Sequence, residues 1–205
     1  MLIDAFIAIE DSRFWSHKGV DVRSMVRAAV GIITGDSSAG GGSTLTQQLI
    51  KNNIFEGGNE DTFGEKLERK IQEQYLAIQL EKIMDKKIIL KNYLNTINLG
   101  NNTLGVKAAA LRYFDKDVSD LTLSEATVIA GITQNPSRFN PLSENGRKRN
   151  EEKRRVILQY MYEQGKITKE EQEEALADDV YSRIKKCGYR HKRDPDADTP
   201  TLPTN

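Results

Sequence analysis

One cysteine, two histidines, one tryptophan and five prolines are all that 205 residues contain of these types. The lone Cys187 excludes an intramolecular disulfide and a cysteine-built zinc site, and reads as an incidental thiol. Charge of one sign is also missing: 30 basic and 30 acidic side chains leave a formal net charge of zero. That removes the bulk electrostatic footprint of a nucleic-acid binder, so no nucleic-acid partner is expected. No run approaches the ~18 consecutive apolar residues of a membrane span, and no signal peptide precedes Asp4. Taken literally, those two absences predict a soluble, cytoplasmic chain. Strand-like alternation is nearly absent as well, which leaves helical periodicity to organise the fold.

That periodicity is strong. After Asp21, a good N-cap, Val22, Met25, Val26, Ala29, Val30 and Ile33 recur at helical spacing until Gly35 stops them. Residues 35–42 read as a mobile glycine-rich loop, and Ser43 is the expected cap of a short helix carrying Leu45, Leu49 and Ile50. Capping boxes at Thr62/Glu65, Thr122/Glu125 and Thr168/Glu171 mark three further starts. Helices are expected over 62–83, 85–97 and 147–164, the last closed by Gly165. The fold class is therefore mainly α, a domain over residues 1–181. From Ser182 onward basic residues give way to Asp194, Asp196 and Asp198, and three of the five prolines fall in the last eleven residues. Residues 182–205 are expected to be a disordered, charged, proline-rich tail.

Three constellations carry chemistry. Glu10 and Asp11 are adjacent, so on a helix they point about 100° apart and one at most faces a given cleft. Glu10 follows the apolar set Ala5, Phe6 and Ile9; it is either a partly buried acid–base group or a solvated helix-end carboxylate. His17 alone reads as a hydrogen-bonded structural residue rather than a base. Gly41 to Asn52 run glycines into a hydroxyl-capped helix with Lys51 following, which is either an anion site on free amides or an ordinary capped loop. Lys66, Arg69, Lys70 and Glu73 share one helix side, opposite Leu67, Ile71, Tyr75 and Ile78. Such a cluster is either a solvated salt-bridge stripe or a carboxylate beside an anion clamp.

In order and residue type these three resemble the motifs of the peptidoglycan glycosyltransferase family, the transglycosylase domain of class A penicillin-binding proteins and of monofunctional transglycosylases. Glu10, Asp11, Phe14, His17, Gly19 and Asp21 match the first motif, Gly41 through Asn52 the second, and Arg69, Lys70 and Glu73 the third. A fourth runs from Ile89 through Tyr93, Asn95, Gly100 and Gly105 to Tyr113-Phe114, and a fifth from Leu123 and Glu125 to Asn135-Pro136-Ser137 and Asn140-Pro141. The likeness spans residues 4–178. Asp115 stands where the family has glycine, at a turn position where Asp is tolerated. The transmembrane helix and short segment that the family carries ahead of its first motif are not in this sequence, nor is its transpeptidase domain.

The resemblance implies a lysozyme-like helical domain with a smaller membrane-associated jaw, the latter around residues 22–38. It implies an inverting hexosyltransferase that polymerises lipid II into β-1,4 glycan strands and releases undecaprenyl pyrophosphate, in bacterial cell wall biosynthesis. Glu10 would be the general base on the acceptor 4-hydroxyl, and Glu73 would assist departure of the pyrophosphate, facing Glu10 across one cleft. Asp11, Phe14, His17, Ser43, Thr44, Gln48, Lys51, Asn52, Arg69 and Lys70 would bind substrate. No organic cofactor is implied; a divalent cation, Mg or Mn, beside Glu73 is left open. Implied partners are lipid II, the growing glycan, the membrane surface and other cell-wall synthesis or division proteins, at the extracytoplasmic face of the membrane. Two rivals stand beside this: a non-catalytic remnant that binds lipid II or cell-wall components, and a lysozyme-like glycoside hydrolase.

Overall fold

Hydroxyls and carboxylates at helix starts decide where this chain turns. The computed structural model describes residues 1–35, 41–55 and 62–184. Its helices are α1 (Leu2–Glu10), α2 (Val22–Thr34), α3 (Leu45–Ile54), α4 (Phe63–Ile83), α5 (Lys86–Thr96), α6 (Val106–Phe114), α7 (Leu123–Ala130), α8 (Glu144–Glu163) and α9 (Lys169–Ala177). Two short 3-10 turns, Val118–Asp120 and Val180–Arg183, complete it. Among the described residues no strand forms, and a single antiparallel bridge joins Asn98 to Leu104. The mainly helical architecture expected from the sequence is the one observed.

All three expected capping boxes form, and Thr44 with Gln47 adds a fourth. Thr44, not Ser43, is thus the cap of α3, and the Ser43 hydroxyl is left for another partner. α8 starts one turn earlier than expected because the Ser143 hydroxyl accepts from the Gly146 amide. Asp115 takes the left-handed conformation that ends α6, with φ at 55°.

The core gathers around α1, which buries Ala5, Phe6, Ile7 and Ala8 against α7 and α8. α3 packs on α4 and α5, and the Phe6 and Tyr93 rings meet edge-on at 6.3 Å to join the two groups of helices. Each fully buried Phe or Ile contributes roughly 1.5–3 kcal/mol of hydrophobic stabilisation. α1 is therefore held by packing despite lying at the start of the chain, and its last residue, Glu10, is carried on a rigid element.

Two helices turn apolar side chains outward. On α2 only Gly31 is buried, while Val22, Val26, Val30, Ile32 and Ile33 are exposed. On α4 the polarity is inverted: Phe63, Leu67, Ile71 and Tyr75 are exposed, and Glu73 and Ala77 are buried. The reading of Arg69, Lys70 and Glu73 as a solvated stripe is thereby overturned. The reason is steric. Gly19 sits so close to α4 that a Cβ there would lie 2.5 Å from the Ala77 carbonyl, so the inward side of α4 admits small or hydrogen-bonded side chains. Among the described residues no helix is long and apolar enough to cross a membrane.

Ser182 to Ile184, assigned to the tail by sequence, pack with the body. Arg183 donates to Glu125 and Asp178, and Ile184 is buried. The rest of the expected tail, 185–205 with Cys187, lies outside the described residues, as do residues 36–40 of the glycine-rich loop.

Two stability predictions arise here. Gly19→Ala forces both a φ of +91° and that backbone clash, and is expected to cost about 2 kcal/mol or more in urea unfolding. Asp21 caps α2 and pairs with Arg13; burial raises its carboxyl, but the Arg13 and Ser24 hydrogen bonds outweigh this and lower it from 3.8 to about 2. A depressed carboxyl stabilises the fold above its unfolded value and stops doing so as pH falls through the folded one. Asp21→Asn is thus expected to destabilise by about 2 kcal/mol at neutral pH. The difference from the parent should shrink between pH 4 and 2.

Candidate active site

Two adjacent carboxylates leave the end of α1 in different directions. Asp11 turns inward, where its Oδ2 accepts from the backbone amide of Leu45 at 3.0 Å and from His17 Nε2 at 2.8 Å. Leu45 is the first residue of α3, so Asp11 sits at the positive end of that helix. On its other side, His17 Nδ1 lies 3.2 Å from Lys86 Nζ. Lys86 also donates to Glu81 at 2.8 Å, and Glu81 accepts from the Thr46 hydroxyl at 2.5 Å. Phe14, fully buried, stacks edge-on against His17 and lies under the Lys86 ammonium, 4.4 Å from its ring centroid. Glu81 and Lys86 had no sequence signal, because they reach α3 only through the fold.

This web corrects several expectations. Asp11, Phe14, His17 and Thr44 are buried joints between helices, not cleft residues. Of the two readings of Gly41 to Asn52, the capped helix start is the one seen: Asp11 takes the Leu45 amide, and the Thr44 hydroxyl takes that of Gln47. Thr44 itself donates to the Gly19 carbonyl at 2.6 Å, tying the first motif to the second.

Glu10 turns the other way, into a cleft of about 1080 Å³. Its Oε2 accepts from Gln48 Nε2 at 2.9 Å and its Oε1 from the Thr133 hydroxyl. Gln48 is held in that orientation by Tyr93, whose hydroxyl donates to Gln48 Oε1 at 3.1 Å. Complete burial, reinforced by the charges of Glu10 and Asp11, pushes the Tyr93 hydroxyl well above its ordinary value and keeps it a donor. Ser43, Lys51 and Asn52 also line the cleft, as do Gln134 and Lys153. Lys153 donates to Gln134 at 2.9 Å; burial lowers its ammonium and the Glu10 charge pulls it back up. Sequence reasoning missed Thr133, Gln134 and Lys153. Thr133 lies 123 residues from Glu10, and no spacing rule spans that distance.

Glu73 is not part of the cleft wall. Its side chain is completely buried, with Oε1 accepting from Arg69 and Oε2 from Lys70 at 2.8 Å. With no exposed surface, Glu73 faces its two cations rather than open solvent. Lys70 makes the connection instead, donating to Ser43 Oγ at 3.1 Å on the cleft wall. Of the two cations about this carboxylate, Lys70 is the one that reaches Ser43. The same donor set does not suit a divalent cation, since both Glu73 oxygens already face cations. Among the described residues no group of three or more His, Cys, Asp or Glu comes together as a metal site.

The arrangement has a clear chemical capacity. A carboxylate held through both oxygens by neutral donors keeps a lone pair on each for a substrate proton. A cationic cluster behind Ser43 suits a group that gains negative charge. Glu73 is the counter-ion that Arg69 and Lys70 share, so Glu73→Leu takes a completely buried carboxylate away from both cations. That variant is expected to lose about 3 kcal/mol in chemical denaturation, against under about 0.5 kcal/mol for Glu68→Leu on the exposed side of the same helix.

Known proteins resemble this chain closely. A family model described as Transglycosylase matches residues 1–162. Penicillin-binding protein 1A of Clostridium novyi (strain NT) is 42% identical over 184 residues, covering 86% of this chain and 21% of that protein. Penicillin-binding protein 1A of Vibrio cholerae serotype O1 is 44% identical over 179 residues, covering 87% and 21%. The chain thus spans about a fifth of the length of the curated relatives it matches. A crystal structure of penicillin-binding protein 1A from Haemophilus influenzae aligns over 66% of this chain and 16% of that one, at 34% identity and a TM-score of 0.45. A superposition that loose adds nothing to the fold described above.

Proposed function

The chain belongs to the transglycosylase family, and from that premise we propose that it is a peptidoglycan glycosyltransferase that joins lipid II units into β-1,4-linked glycan. Residues 1–181, with Ser182 to Ile184 packed on them, are the catalytic unit. The observation that carries this reading is Glu10, held between Gln48 and Thr133 on the wall of a large cleft whose rim includes Ser43 and Lys51.

Glu10 takes the proton from the 4-hydroxyl of the acceptor sugar. The freed oxygen attacks C1 of the donor from the face opposite its pyrophosphate, the C1–O bond breaks, and the anomeric centre inverts. Negative charge builds on the departing undecaprenyl pyrophosphate, and Lys70, Lys51 and Arg69 are the cations that stabilise it. Lys70 does so from beside Ser43. Glu73 acts indirectly, by holding Arg69 and Lys70 in place. Gln48, Ser43 and Asn52 orient the sugars. The exposed apolar face of α2 suits contact with a lipid surface, which would bring the cleft to a membrane-borne substrate at the extracytoplasmic face. Other cell-wall synthesis or division proteins are the partners such a chain would meet there.

Incubation with lipid II and, separately, with finished glycan tests the reaction type. The transferase reading expects polymer from the first and no cleavage of the second. Shortened glycan would mean a hydrolase, and no turnover of either substrate a binding remnant. Lys70→Met is expected to lower kcat by about a hundredfold on lipid II, as loss of one preorganised charge donor does elsewhere.

A further inference from the structure

Asn150, on α8, has no exposed surface, yet it is the hub of a polar junction. Its Nδ2 donates to the carbonyls of Val128 at 3.1 Å and Phe139 at 3.2 Å, and its Oδ1 accepts from the Tyr181 hydroxyl at 2.7 Å. Both donors and the acceptor are used, as a buried amide requires. Val128 and Phe139 bracket one loop, and that loop carries Thr133, Gln134 and Pro136 into the cleft. Among the described residues its backbone bonds are short-range: Gly131 to Thr127, Ile132 to Ile129, Thr133 to Ala130 and Phe139 to Asn135. The amide is thus a clasp across both ends of a segment whose middle touches Glu10. The loop lies tight against it: a Cβ on Gly131 would come within 3.0 Å of Asn150 Nδ2.

We propose that Asn150, oriented by Tyr181, is a positioning residue for glycosyl transfer, which fixes the loop so that the Thr133 hydroxyl meets Glu10. This rests on the transferase reading given above. Tyr181 matters because an amide can present either end. Its hydroxyl is pushed up by burial, only partly offset by Arg154, and therefore stays protonated. A protonated phenol facing Asn150 selects the oxygen and turns the NH2 group onto the two carbonyls. The Arg147 guanidinium, 5.0 Å over the Tyr181 ring, holds that ring in place. The turn Val180–Arg183, remote from the cleft in sequence, so becomes part of the machinery that shapes it.

The test combines Tyr181→Phe and Asn150→Leu with Thr133→Val, read by turnover on lipid II and by amide hydrogen exchange. Asn150→Leu is expected to lower kcat about tenfold, and Tyr181→Phe about fivefold, the size of one lost hydrogen bond. KM should stay within about twofold, because the sugar and pyrophosphate contacts proposed for Ser43, α3 and α4 are untouched. Asn150→Leu combined with Thr133→Val should be no slower than Thr133→Val alone, since both act through one contact. Exchange at Ile132, Thr133 and Phe139 should rise about tenfold, with Ala77 on α4 unchanged. Tyr181→Phe keeps the ring and the packing, so it decides the matter where Asn150→Leu does not fold. Additive loss in the double variant, a rise in KM at constant kcat, or loop exchange at the parent rate would overturn the proposal. Failure of the parent to polymerise lipid II would sink the transferase reading instead, and the exchange rates would still judge the clasp.

Discussion

Asp11 is the residue on which the site depends. Its carboxylate meets the first amide of α3 and the ring of His17, and through His17 it is tied to Lys86, Glu81 and Thr46. A buried charge is tolerable only when paired and hydrogen-bonded, and here each partner lies on a different helix or turn. Satisfying Asp11 therefore fixes α3 against α1, α4 and α5 at once. Once that is done, the neighbouring Glu10 has one direction left, into the cleft. α3 then supplies Gln48 to hold it.

The same logic explains why the charged face of α4 is buried and its apolar face exposed. Gly19 admits α4 at backbone distance, Ala77 fills the contact, and Glu73 follows one turn earlier, where Arg69 and Lys70 neutralise it. Stability would be served more simply by packing Leu67 and Ile71 inward. The inversion instead delivers a cation to Ser43 and leaves an apolar stripe outside, as α2 also does. Both features support the proposed handling of an anionic, lipid-borne substrate at a surface.

Much of this was legible in the sequence, for identifiable reasons. The capping boxes at Thr62, Thr122 and Thr168 are local, so spacing alone located them. That Glu10 and Asp11 diverge, and that Arg69, Lys70 and Glu73 share one helix side, was legible from helix geometry, while a role for any of them came only with the family resemblance. What was not legible depends on long-range contact. Thr133 reaches Glu10, Tyr93 orients Gln48 and Tyr181 orients Asn150 only after the chain has closed on itself. Asp11, Phe14 and His17 belong to the same motif as Glu10, and a motif does not say which of its members touch substrate and which hold the others. The inward turn of the Glu73 side of α4 was not legible for a related reason: periodicity gives a helix its faces but not which of them turns inward.

The account's central claim is that two neighbouring carboxylates divide chemistry from architecture. It is tested most directly by measuring unfolding free energy and lipid II turnover together for Glu10→Gln and Asp11→Asn. Glu10→Gln is predicted to lose at least about a hundredfold in kcat while its unfolding free energy stays within about 0.5 kcal/mol of the parent. Asp11→Asn is predicted to lose about 2–3 kcal/mol of stability, having weakened a buried charged junction. An active Glu10→Gln enzyme, or an Asp11→Asn enzyme as stable as the parent, would contradict it.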